Sequence, residues 1–124
     1  MFSANATGSG IVNGHLLRIN KITGQVIKYD TLTSAGNVLN FNDENYFLVL
    51  YGTGFRNRNT LSNVSLSVGG VSLPVVYAGA QGLAGLDQMN VQLPNTFTQR
   101  GPMNILWSVE GKAGNTVQVN LRNP

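Results

Sequence analysis

The stretch NVSLSVGGVSLPVVY, from Asn63 to Tyr77, decides the fold class. Val64, Leu66 and Val68 alternate with Ser65 and Ser67, and Val71, Leu73, Val75 and Tyr77 form a second apolar stripe. Alternation with a period of two belongs to strands with one face on a core and the other in water. Gly69-Gly70 sits between the two runs. Two glycines there supply the positive φ values of a primed two-residue hairpin turn. The reading is therefore two antiparallel strands joined tightly.

The same grammar continues on both sides. Met89, Val91 and Leu93 alternate with Gln88, Asn90 and Gln92, and Pro94 ends that run by denying a ladder donor. Met103, Ile105, Trp107 and Val109 form another stripe, and Val117, Val119 and Leu121 the last. Glycines 111 and 114 can close the hairpin between them. Upstream, residues 10–19 and 25–30 read as a hairpin across Asn20 to Gly24, and 31–44 as a connection. Tyr46 to Tyr51 is apolar on both faces, so it is expected to be a central or well-covered strand. No segment has a helical period over ten residues. The prediction is one all-β domain over residues 1–124, an antiparallel β-sandwich of about seven to nine strands. Residues 1–10 are rich in Gly, Ser, Ala and Asn and read as a flexible or edge-strand segment.

From Tyr51 onward the motifs GTGF, SVGGV, NVQLP and NTVQVNL resemble those of IPT/TIG domains, an immunoglobulin-like family. Over the whole chain, FSANATGSG, FLVLYGTGFRNRNTLSNV, YAGAQGLAGLDQMNVQLP and GKAGNTVQVNLR resemble an uncharacterised C-terminal domain family of secreted acidobacterial proteins. The chain departs from it at Met89 and Met103, where branched aliphatics are usual. The resemblance implies an immunoglobulin-like fold and a secreted, multidomain setting. It implies no activity, and no functional residue carries over.

Composition narrows the function classes. Charged residues make up 10% of the chain, against about 25% in an average soluble domain, so Asn, Gly, Ser and Thr must fill the surface. Such neutral polar surfaces suit an extracellular or cell-surface location. There are no cysteines, which removes a disulfide framework, a thiolate nucleophile and cysteine-bound zinc. The eight basic residues are scattered, with only Arg56 and Arg58 close together, so nucleic acid is not an expected partner. No apolar run approaches the roughly 20 residues of a membrane-spanning helix.

The residues that carry chemistry elsewhere have plainer readings here. Gly52 and Gly54 lack the lysine and helix of a phosphate loop, and read as a turn where a strand leaves its sheet. His15 is the single histidine, and no G-x-S-x-G elbow accompanies it. Asp43 and Glu44 lie in NFNDEN, which lacks the spacing of a calcium loop. Neither catalytic residues nor a metal or other cofactor are expected. Asp87 follows the glycine-rich loop 79–85 and reads as an acceptor for loop amides, with ligand contact as the alternative. Arg56 and Arg58 read as solvated loop charges, with a grip on a carboxylate of a neighbouring domain or chain as the alternative. Gly69, Gly70 and Trp107 read as structural, the tryptophan as core.

Three functions follow, in order: a non-catalytic module that serves as spacer, anchor or protein-interaction domain; a self-assembling filament or surface-layer subunit; and a carbohydrate-binding module. The expected partners are other domains of the parent protein or copies of this chain, with carbohydrate as a further ligand class. The last reading needs exposed aromatic rings.

Overall fold

Side-chain alternation and glycine turns place the strands, and the computed structural model assembles them into two packed sheets. It describes residues 1–3, 5, 7–55, 63–82 and 86–124. Arg56 and Arg58 lie outside these residues. Among the described residues there are eleven strands and no helix. They are β1 (Gly14–Asn20), β2 (Val26–Thr31), β3 (Asn37–Val38), β4 (Glu44–Gly52), β5 (Val64–Val68), β6 (Val71–Ser72), β7 (Val75–Ala80), β8 (Asp87–Leu93), β9 (Gly101–Val109), β10 (Lys112–Ala113) and β11 (Val117–Arg122). The sequence predicts seven to nine. The surplus comes from β3, β6 and β10, whose two residues each are too short to carry a period.

One sheet runs β2-β1-β4-β8-β7, and the other runs β3-β11-β9-β5-β6 with β10 also on β9. All pairings between named strands are antiparallel except β3 with β11, which is parallel and corrects the purely antiparallel expectation. That pair forms because the connection 32–43 doubles back beside the last strand rather than crossing over as a hairpin. β4 is the central strand of its sheet, as its two-sided apolar run requires. Leu16, Leu48, Leu50, Met89 and Val91 pack with Leu66, Val68, Ile105, Val117 and Val119 in one buried core.

The Gly69-Gly70 turn forms as read, with φ of 58° and 85° and Val68 paired to Val71. The stripe beyond it does not continue as one strand. The Leu73 amide donates to Leu66 O in one sheet, and Pro74 O accepts from the Gln92 amide in the other. The chain thus changes sheets at a residue that has no amide donor of its own. A register shift between Val75 and Tyr77 then turns Tyr77 outward, 38% exposed.

The amino segment is fastened at both ends. The Phe2 amide donates to Tyr51 O at 2.8 Å, and Ser3 bridges Val12. Val12 and Gln118 are joined by a 2.8 Å backbone bond, so the segment links the two sheets. Met1 is buried, and Asn115 Nδ2 donates to both Met1 O and Gly8 O at 2.8 Å.

Candidate interaction face

Residues directly opposite one another across strands share a face. On the β2-β1-β4-β8-β7 sheet the inner rows are Asp30–Leu16–Leu48–Val91 and Lys28–Arg18–Tyr46–Leu93. The outer rows are Tyr29–Leu17–Phe47–Gln92 and Thr31–His15–Val49–Asn90–Tyr77. The outer face is therefore apolar and aromatic on its β2 side and becomes polar toward β8.

This apolar side stays open. Ile22 at the hairpin tip is 95% exposed, and Val26, Ile27 and Tyr29 on β2 are 45–54% exposed. Leu17, Ile19 and Phe47 beside them are half-buried. Among the described residues no strand lies beyond β2. These four exposed apolar side chains fall within eight residues, at and beside one edge of the sheet. His15 helps to hold its far end. The His15 ring meets Tyr29 and Tyr51 edge-on, at 87° and 83°, and its Nδ1 lies 3.1 Å from the Tyr51 hydroxyl.

The inner side of the same edge is charged. Arg18 grips Glu44 with two nitrogens, at 2.6 and 3.1 Å, and reaches Asp30 at 3.3 Å. Lys28 Nζ is 3.6 Å from the other Asp30 oxygen. The hydrogen bond from Arg18 holds the Glu44 carboxyl below its usual range, and raises the guanidinium further above its own. Two cations meet two carboxylates, so this groove leaves no net charge for an ionic ligand. Beneath it, burial pushes the Tyr46 hydroxyl up to about 12, and its oxygen accepts the Asn40 amide at 2.7 Å.

The residues singled out from sequence lie elsewhere. Asp87 is buried at the start of β8 and accepts the Phe55 amide at 2.9 Å. Among the described residues it thus holds the GTGF turn, 32 residues earlier, which strand pairing of β4 with β8 brings alongside, while residues 83–85 of the glycine-rich loop lie outside the described ones. Gly54 has the positive φ that a turn demands, 85°. Gly52 does not; its constraint is space, since a Cβ there would lie 2.6 Å from the Phe55 ring and 2.9 Å from the Met1 backbone. Trp107 packs half-buried against the core, edge-on to Phe55, and its Nε1 donates to Asn115 O at 2.8 Å. Asp43 accepts from Asn40 Nδ2, and among the described residues no three His, Cys, Asp or Glu side chains converge as a metal site would need.

Asp87→Ala should lower unfolding stability by about 1 to 3 kcal/mol, because it leaves a buried amide without an acceptor. Asp87→Asn, which keeps an oxygen there, should cost less. Chemical denaturation of both variants tests this. Equal and negligible losses would mean that the carboxylate does not hold the turn.

The β2 strip escaped the sequence reading because Val26, Ile27 and Tyr29 look the same in a covered strand as in an open one. Its one signal is charge placement, with Lys28 and Asp30 alternating with the apolar residues. Comparison with protein-family models, with curated proteins and with solved structures found no match to this chain.

Proposed function

We propose that this chain is a non-catalytic, immunoglobulin-like module of a larger secreted or cell-surface protein, and that it acts as a spacer, anchor or protein-interaction domain. The observation that carries the interaction role is the exposed apolar strip Ile22, Val26, Ile27 and Tyr29 along the open edge of one sheet. Immunoglobulin-type sandwiches set a four-strand sheet, ordered A-B-E-D, against a three-strand sheet, C-F-G. The orders β1-β4-β8-β7 and β5-β9-β11 fit that scheme, with β2 added outside the first strand. The tryptophan stands on β9 rather than on the third strand of the scheme, and no cysteine pair joins the sheets. The IPT/TIG-like motifs and the low-charge surface support the same class and an extracellular setting.

A photo-crosslinking residue at Val26, in the whole parent protein, tests the role. Adducts from Val26 should map to one defined surface of a neighbouring domain or of a second copy. The same residue at Ser65, on the opposite sheet, should give few. Equal or absent adducts would overturn the reading. Glycan binding that disappears in Tyr29→Ala would replace it with the carbohydrate-binding one.

A further inference from the structure

We infer that two copies of this chain join edge to edge through β2, antiparallel, about a twofold axis at Tyr29. The inference rests on the reading of the β2 side as a contact surface, and names what covers it.

The backbone supplies the first reason. The Leu32 amide donates to Gly14 O, and the Tyr51 amide to Asn13 O. Hydrogen-bonded and non-bonded pairs alternate along an antiparallel ladder. The β1–β2 bonds therefore fall at Leu16–Asp30 and Arg18–Lys28, in the register of those strands. Tyr29 and Thr31 then direct their amides and carbonyls away from β1, to the open side. Thr31 O already accepts Asn37 Nδ2 at 3.0 Å, whereas the donor and acceptor of Tyr29, like those of Ile27 before it, face the open side with no strand beyond them among the described residues. A strand of such an edge is a template for another.

Charge selects the partner and the register. With the axis at Tyr29, Lys28 of each copy stands opposite Asp30 of the other, twice over, so each exposed ammonium exchanges its 3.6 Å contact with its own Asp30 for one with the mate's, while Arg18 keeps its hold on Asp30. An axis at Lys28 sets two ammonium groups face to face, and an axis at Asp30 sets two carboxylates so. Opposite charges directly across an antiparallel pair stabilise it and like charges oppose it. Of the three registers, only the one about Tyr29 is self-complementary. It also brings the two Tyr29 rings together on the outer face and sets Ile27 beside Thr31 of the mate. The product is a continuous sheet of ten strands, five from each copy. The other edges suit this less: β3 and β6 have two residues each, and β7 has no charged side chain to set register.

Sedimentation velocity over a wide concentration range should give a reversible monomer–dimer equilibrium for the intact chain. Lys28→Asp should weaken it about tenfold or more, since it opposes carboxylates at both crossings. Asp30→Lys should do the same with ammonium groups. Mixing these two variants should restore dimerisation, because their charges then complement each other. Tyr29→Pro should abolish association and leave circular dichroism unchanged, because the amide it removes points away from β1. As a check independent of those folds, Tyr29→Cys in this cysteine-free chain should oxidise rapidly to a disulfide-linked dimer. Residues paired through hydrogen bonds lie about 5.5 Å apart at Cα, within the span that a disulfide bridges. A monomer at every concentration, a dimer indifferent to Lys28→Asp and Tyr29→Pro, or a mixture that fails to pair would each overturn the β2 dimer. None of these would touch the interaction role itself if crosslinks from Val26 still reached another domain.

Discussion

Trp107→Ala should lower the free energy of unfolding by about 3 to 5 kcal/mol, the range for truncating a large packed aromatic. The indole rests against Phe55, which is fully buried, at 5.1 Å between ring centroids. Its Nε1 bond to Asn115 O fixes the segment whose side chain holds the Met1 and Gly8 carbonyls. Removing the ring therefore empties a cavity and frees the contact between the last hairpin and the amino segment. The approach is close from the other side too. A Cβ on Gly114 would lie 2.0 Å from the indole, and the Gly114 amide is already bound to Trp107 O. Gly114→Ala should thus destabilise as well, by about 1 to 3 kcal/mol, as overpacking does. Urea unfolding followed by circular dichroism measures both. A Trp107→Ala midpoint equal to that of the unaltered chain would mean that the ring is a surface platform.

Replacing both Gly69 and Gly70 by valine should cost about 2 to 4 kcal/mol, since the left-handed conformation costs roughly 1 to 2 kcal/mol for each residue with a Cβ. Both positions have positive φ, and β-branched side chains resist it most. Gly69 adds a steric demand, because its Cβ would sit 2.9 Å from Met103 Sδ. Gly70 has open space around it, so Gly70→Asn, which tolerates positive φ, should be nearly neutral. Thermal melts of the two variants separate backbone strain from crowding. A double valine variant that melts with the unaltered chain would refute the β5–β6 turn and the register that depends on it.

Local features were legible because they are local. Alternation at Val64–Val68, Gln88–Leu93 and Val117–Arg122 specifies strands from neighbouring residues alone, and Gly69-Gly70 specifies its turn by its own φ requirement. The stripe from Val71 to Tyr77 misled for the same reason. Alternation is blind to a change of sheet, and the break at Leu73-Pro74 depends on which distant carbonyl and amide each residue meets. The pair Gly52 and Gly54 reads as a turn from sequence, whereas Gly52 needs room beside Phe55 and Met1, which no neighbouring residue discloses.

The candidate site was the least legible part. The sequence by itself determined an all-β chain, its hairpin at 20–24, its central strand at Tyr46–Tyr51 and its neutral polar surface, because each follows from side-chain period and composition. Tertiary structure alone decided that Asp87 serves Phe55, that the amino segment links the two sheets, and that β2 ends its sheet among the described residues. An edge is a property of what does not pair with a strand. Pairing between distant segments is set by complementary surfaces and loop geometry, so Val26, Ile27 and Tyr29 become an exposed face only once every other strand has found its place.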